Sequence, residues 1–411
     1  MAGVLANCSQ RRVSVADQVY SGAEYERELP MTSALPDPLM IDHDADLAYW
    51  CARWLELPYV AVDTEFERTE TFFPIAGLIQ IGDGTSAYLI DPLAISDWSP
   101  LVALLQSPTV LKVLHACSED LEVFMKLCGV APAPLFDTQM AAAYLGMDFS
   151  MGYSRLVKAL LNIELSNAET RSNWLQRPLS NDQVTYAAAD ALHLAELYQL
   201  LGPRIEAAGL TAWLLEDSAE LVSTAGRVQE PETAYLNIKQ AWRLKPSELA
   251  ILKLLASWRE RESRQRDQAR NRLLREKTLC PLAQRQPDNL QALSRIEDMH
   301  PRSVRQDGQA ILELIRAGQA VPEADWPERL QEPLPADANK LLKALRKVGQ
   351  RHAVKLGMAE ELMLRKKHLE ALVRTGHPGG PYQLPDELSG WRRALMGDEL
   401  LAVANGREQL A

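Results

Sequence analysis

No apolar run in this 411-residue chain approaches the roughly 20 residues needed to cross a bilayer, which excludes a helical membrane protein. Residues 1–30 have no long apolar stretch either, and they carry Arg11, Arg12, Asp17, Glu24, Glu26 and Glu28. They do not make a secretory signal and read as a disordered tail. Met31 is a candidate translation start, because ordered-looking sequence begins soon after it. Cysteine is scarce: Cys8, Cys51, Cys117, Cys128 and Cys280 are odd in number, widely spread and without a C-x-x-C pair. That argues against a disulfide framework or a zinc site and fits a reducing cytoplasm.

Positive charge is also short, with a net charge of −11, which at first sight disfavours a nucleic-acid partner. The distribution alters that. Residues 1–230 hold 13 Lys+Arg and 31 Asp+Glu, a net −18, and residues 231–411 are at +7. An acidic half suits divalent cations and a basic half suits a phosphate backbone. Two solubilised domains of unrelated isoelectric point would give the same asymmetry. The length is too great for one ordinary core and predicts two or three domains.

The pattern of elements changes along the chain. Residues 35–56 read as a helix with its lead-in, since Leu47, Trp50, Trp54 and Leu55 fall at helical spacing. Tyr59–Asp63, Gly77–Ile81 and Ala87–Ile90 read as strands, with Gly82-Asp83-Gly84 as a hairpin turn. Leu101–Leu105 is helical and Val110–Leu114 a strand. Ser118–Leu127 is a helix with Ser118 as its expected N-cap. Phe136–Thr138 ends a short strand or turn, and 138–145, 154–161 and 182–201 are helical. From about 204 onward there is no strand signal. Strands first, then mixed elements, then helices predict an α/β sheet with helices packed on it, followed by all-α segments. Prolines and acids near 229–233 and 321–337 punctuate the helical part.

Asp63 and Glu65 lie two apart on a predicted strand, so both carboxylates face one side of the sheet. A divalent cation with a preference for oxygen would compensate such a pair. A strand end dipping into solvent is the plainer reading of a lone D-x-E. Tyr186 and Asp190, four apart on a helix with three alanines between, share one face and permit close approach to a sheet. A phenol beside a metal-bound carboxylate can orient or deprotonate a water. Asp120 stands in the first turn of a helix, where the dipole favours a carboxylate, and helix geometry cannot choose between it and Glu119. Two metals about 4 Å apart, held by such acids, form a clamp for in-line phosphodiester cleavage.

These stretches resemble a known family. Val62-Asp63-Thr64-Glu65-Phe66, His115-Ala116-Cys117-Ser118-Glu119-Asp120-Leu121 and Tyr186-Ala187-Ala188-Ala189-Asp190 are similar to the three exonuclease motifs of the DEDD superfamily. The tyrosine four before the last aspartate marks the DEDDy branch. The fuller likeness is to the ribonuclease D family, through Arg68-Thr69, Phe73-Pro74, Leu78-Ile79-Gln80 and Trp174-Leu175-Gln176-Arg177-Pro178-Leu179. It covers about 45–200. It implies an α/β ribonuclease-H-like exonuclease domain, a mixed sheet flanked by helices. It also implies two Mg²⁺ or Mn²⁺ ions on Asp63, Glu65, Asp120 and Asp190, and Tyr186 positioning the attacking water. The implied activity is 3′→5′ exoribonuclease hydrolysis that releases 5′-nucleoside monophosphates from tRNA precursors and other small structured RNAs. A DNA 3′→5′ exonuclease, or a non-catalytic nucleic-acid-binding protein on the same fold, are the alternatives.

Trp174 and Arg177 suit stacking and phosphate contact with single-stranded RNA, or equally a core tryptophan beside a salt-bridged arginine. Further candidates for RNA contact are His115, Gln80, Arg264 and Arg270. Residues 259–277 hold eight basic against four acidic residues, in keeping with a solvated helix laced with ion pairs. The segment 235–317 nevertheless resembles an HRDC domain through Leu249–Trp258, Leu293–Ile296 and Ile311–Ile315, with Asn271 where a proline is common. A second, divergent HRDC-like module is expected over 335–411, where Lys340, Lys343, Arg346, Lys347, Arg351 and Lys355 fall at helical spacing. The expected organisation is a tail over 1–34, the exonuclease domain over 35–230, and HRDC-type bundles over 231–318 and 335–411. RNA with a single-stranded 3′ end is the expected partner of a cytoplasmic monomer, with no membrane and no organic cofactor.

Overall fold

The computed structural model describes residues 36–406 apart from 167, 226 and 228. The expected tail over 1–34 lies outside the described residues. The sheet is built from β1 (Leu39–Ile41), β2 (Tyr59–Glu67), β3 (Ile75–Gly82), β4 (Ala87–Ile90), β5 (Leu111–Leu114) and β6 (Leu135–Asp137). Its order is β1-β4-β3-β2-β5-β6. β2, β3 and β4 pair antiparallel, and β1, β5 and β6 join in parallel. The interleaved helices are α1 (Asp44–Trp54), α2 (Ser99–Gln106), α3 (Ser118–Cys128), α4 (Thr138–Tyr144), α5 (Tyr153–Leu161), α6 (Asn181–Ala207) and α7 (Thr211–Ala225).

Alternation along β2 decides which layer lies on which face. Val60 and Val62, with Ile79, Ile81 and Ile90, pack against Leu47, Trp54, Leu101, Leu105, Leu121 and Phe124 of α1–α3. Ala61 turns the other way, into a core that includes Ala141–Tyr144 of α4 and Leu194 and Leu197 of α6. Asp63 and Glu65 therefore share the face that α6 covers. α6 comes close because it is alanine-rich there and β3 ends in Gly82. A Cβ at Gly82 would stand 2.4 Å from the Ala191 carbonyl.

The remainder is helical, and no strand occurs after residue 204 among the described residues. α8 (Pro246–Gln265), α9 (Arg270–Leu273), α10 (Glu276–Arg285), α11 (Leu290–Ser294) and α12 (Pro301–Gln319) enclose their own core around Leu249, Leu252, Leu255, Leu279, Ile311 and Ile315. α13 (Ala338–Leu356), α14 (Glu360–Met363), α15 (Lys366–Arg374) and α16 (Gly390–Ala404) instead share one continuous core with α4–α7 of the sheet domain. Two local expectations are corrected. β1 lies inside the stretch read as helix lead-in, and Cys117 rather than Ser118 occupies the N-cap of α3.

Candidate active site

Asp63 and Glu65 leave β2 toward α6, opposite Gln80 and Leu78 of β3. Asp190 faces them from the middle of α6, 6 % exposed. Asp63, Glu65 and Asp190 can each offer one carboxylate oxygen so that the three lie within 4.8 Å of one another. Asp120 belongs to the same neighbourhood through Thr64, whose hydroxyl donates to its carboxylate at 2.5 Å. Thr64 lies between the two acids on β2, and Asp120 is near enough that its charge bears on Glu65. Glu119, its competitor in the sequence, is exposed.

Several groups that the sequence did not single out fix this arrangement. Asp137 accepts the backbone N–H groups of Ala116 and Cys117 at 3.2 and 3.1 Å and caps α4, so it holds the turn that launches Asp120. Its signature, an aspartate just before a helix, was present but points only to a cap. Tyr153 donates to the Asp190 carbonyl at 2.6 Å, and its ring lies 5.3 Å from that of His115.

The electrostatics follow from packing like charges in a half-dry space. Burial, then the charge of Asp190, pushes Asp63 up to about 7. Burial, then Asp63, Asp190 and Asp120, pushes Glu65 up to about 9. Burial raises Asp190 to about 7 against the pull of its hydrogen bond from Tyr186. Burial and Asp63 hold Asp120 well above the carboxylate range. Burial, with Asp190 beside it, also lifts Tyr186, so this side chain is a phenol at neutral pH. An all-oxygen donor set that resists ionisation unless a cation joins it fits hard divalent metal ions.

The candidates for RNA contact fare differently. Trp174 is 2 % exposed, in a core patch with Leu78, Leu89 and Ala187, and its ring lies 6.1 Å from that of Tyr186. Arg177 grips Asp91 through two bonds of 2.6 Å and caps the Gly77 and Trp174 carbonyls. Gln80 is 0 % exposed. Trp174 and Gln80 are corrected from RNA contacts to buried residues with no free surface, and Arg177 is committed to Asp91. His115 is partly buried, with its Nδ1 2.9 Å from the Thr138 hydroxyl, and burial lowers its basicity. Arg264 and Arg270 are held together on Glu260, each at 2.6 Å.

A 3′-5′ exonuclease family model matches residues 38–206, and an HRDC domain model matches residues 248–315. Ribonuclease D of Pseudomonas paraeruginosa is 56 % identical over 366 residues, spanning 89 % of this chain and 97 % of that protein. Ribonuclease D of Escherichia coli is 37 % identical, spanning 88 % of this chain and 96 % of that protein. The crystal structure of Escherichia coli RNase D, an exoribonuclease involved in structured RNA processing, superposes with a TM-score of 0.84 at 36 % identity, covering 90 % of this chain and 100 % of that one.

Proposed function

Because the chain belongs to the ribonuclease D family, and so is a 3′→5′ exoribonuclease, we propose that it trims the 3′ ends of tRNA precursors and other small structured RNAs at the carboxylate cluster described above. The convergence of Asp63, Glu65 and Asp190 within 4.8 Å is the observation that carries this reading. Together with Asp120 they would hold two divalent cations, Mg²⁺ or Mn²⁺. When bound, such ions supply positive charge that activates a water and steadies the phosphate and the leaving oxygen.

The chain's own residues do the positioning. Tyr186 commits its hydroxyl hydrogen to Asp190, and its oxygen, which already takes a hydrogen bond from Thr170, has a second lone pair to accept from the attacking water. Trp174 backs its ring. The water's oxygen bonds to phosphorus and the bond to the preceding nucleotide's 3′ oxygen breaks. The proton passes to that oxygen through solvent, so the products are a 5′-nucleoside monophosphate and an RNA with a free 3′ hydroxyl. Residues 35–230 form the catalytic domain in this reading. The modules over 231–318 and 335–411 present the RNA so that only its 3′ tail reaches the acids. No described helix is long and apolar enough to cross a membrane. The proposed setting is a cytoplasmic monomer that needs no organic cofactor.

The test is a 3′-extended tRNA incubated with Mg²⁺ or with chelator, beside a DNA strand of matched sequence, with end-labelled product mapping. The expected result is stepwise release of mononucleotides from RNA, abolished by chelator. Release that ignores chelator would overturn the metal reading, and faster release from the DNA strand would overturn the substrate reading.

A further inference from the structure

The loop 68–74, which follows Glu65, is gripped by the corner between α8 and α9. Asp267 accepts the backbone N–H groups of Phe72 and Phe73 at 3.1 and 2.9 Å. The Ala269 N–H donates to the Glu70 carbonyl at 2.9 Å, and Arg272 pairs with the Glu70 carboxylate at 2.5 Å. The guanidinium groups of Arg264 and Arg270 lie 5.7 and 4.4 Å from the centroid of Phe72, and the Lys126 ammonium 4.2 Å from that of Phe73. Between the loop, α3 and the end of α8 lies a cavity of about 530 Å³. Ser118 and Leu121, on either side of Asp120 in the sequence, line it.

We infer that this cavity is a subsite for single-stranded RNA, holding nucleotides on the 5′ side of the one being removed. The inference rests on the exonuclease reading. Charge favours it. Five cations, Arg68, Lys126, Arg227, Arg264 and Arg270, border the cavity. Two carboxylates answer them: Glu122, 2.6 Å from Arg68, and buried Glu260, shared by Arg264 and Arg270. Three positive charges are left over, in a chain of net −11, which is the complement of a polyanion. Glu260 holds two of the guanidinium groups in place over Phe72. The guanidinium planes of Arg264 and Arg270, backed by the Phe72 ring, are surfaces on which unstacked bases can stack. The volume suits a few stacked groups and not an A-form duplex, whose recognition needs a broad surface. Position favours it too, since Arg68 is three residues past Glu65. α9 then carries the track onward: Asn271, next to Arg270, borders a second hollow of about 760 Å³ with Lys239, Arg243, Arg275 and Lys277.

The test compares a dinucleotide with single-stranded RNA oligomers of increasing length, for wild type and for Lys126→Glu/Arg227→Glu, whose side chains are both exposed. For wild type, kcat/KM rises with length as the subsite fills. The variant is expected to lose that rise at least tenfold, and the log–log salt slope of oligomer binding should drop by about 1.4, roughly 0.7 for each phosphate contact removed. The neutral pair Lys126→Gln/Arg227→Gln should fall between. A variant with the wild-type length dependence and salt slope overturns the subsite. A wild type that hydrolyses neither dinucleotide nor oligomer in Mg²⁺ overturns the exonuclease reading on which it rests.

Discussion

Replacing Asp190 by Asn should make the metal-free protein more stable and the enzyme inactive. The three carboxylates of Asp63, Glu65 and Asp190 crowd within 4.8 Å. At an effective dielectric of about 20, two full charges at that separation repel by roughly 3.5 kcal/mol. The cluster avoids part of this by keeping protons. Glu65, raised to about 9, is largely neutral at pH 8, and the residual conflict is between Asp63 and Asp190, both raised to about 7. Relief of that pair is worth about 1–2 kcal/mol, which corresponds to roughly 2–6 °C in the melting temperature of a domain this size. The assay is differential scanning fluorimetry at pH 8 in chelator, repeated with Mg²⁺. Metal should raise the melting temperature of wild type by mass action and leave that of the variant almost unmoved. Hydrolysis should fall by at least about a thousandfold, on the order of 4 kcal/mol of lost transition-state stabilisation. A metal-free variant that melts at or below wild type would refute the repulsion argument. Undiminished trimming would refute the site assignment.

Tyr186→Phe keeps the ring that rests against Trp174 and removes only the hydroxyl, so turnover should fall about tenfold to a hundredfold while calorimetric metal affinity stays. Asp217→Asn should destabilise by about 3–5 kcal/mol in denaturant unfolding, because it leaves Arg392 buried without its partner at 2.5 Å. Burial pushes the Asp217 carboxyl up, but Arg392 pulls it below the usual range. Its folded pKa is thus depressed. The contribution is whole above the unfolded value of about 3.9 and is lost as pH falls through the lower folded value, so acid unfolding monitored by near-ultraviolet circular dichroism should begin at a higher pH in the variant. High salt should speed amide exchange at Phe72 and Phe73, whose clamp includes an exposed ion pair, and leave α13–α16 protected behind an apolar core.

Asp63 with Glu65, and Tyr186 with Asp190, were legible because their geometry is local, whereas Asp120 was set apart from Glu119 only by the family resemblance. A spacing of two on a strand or four on a helix fixes a shared face, whatever the rest of the chain does. What brings those faces together is not local. The approach of α6 to β3 depends on Gly82 and on Ala191, 109 positions away, and Asp120 is aimed by Asp137 through backbone bonds that no spacing rule encodes. Trp174 and Arg177 left two readings open for the same reason. The partner that commits Arg177 to the interior is Asp91, 86 residues earlier. β1 escaped notice because three residues, two of them exposed, form a strand only by pairing with β4. The basic run over 259–277 split between two roles. Glu260 takes up Arg264 and Arg270 as ion-pair logic predicts, yet the pair still borders a cavity made jointly with the exonuclease domain.

The two helical modules are joined to the sheet domain by different physics, and that difference bears on how a structured RNA is handled. The module over 338–404 is continuous with the core behind α6 and is pinned by Arg392 on Asp217, with Tyr144 and Trp391 bonded to the same carboxylate. Moving it would expose apolar surface and leave a buried ion pair broken, so it is part of the scaffold that holds Asp190. The module over 231–319 has its own core, and its grip on the loop 68–74 runs through hydrogen bonds, one exposed ion pair and cation–π contacts. Contacts of that kind weaken with salt and re-form at little cost. They also attach to the segment that follows Glu65 directly. If the substrate is the proposed RNA with a flexible 3′ tail, this division supplies rigid acids from one interface and an adjustable approach to them from the other.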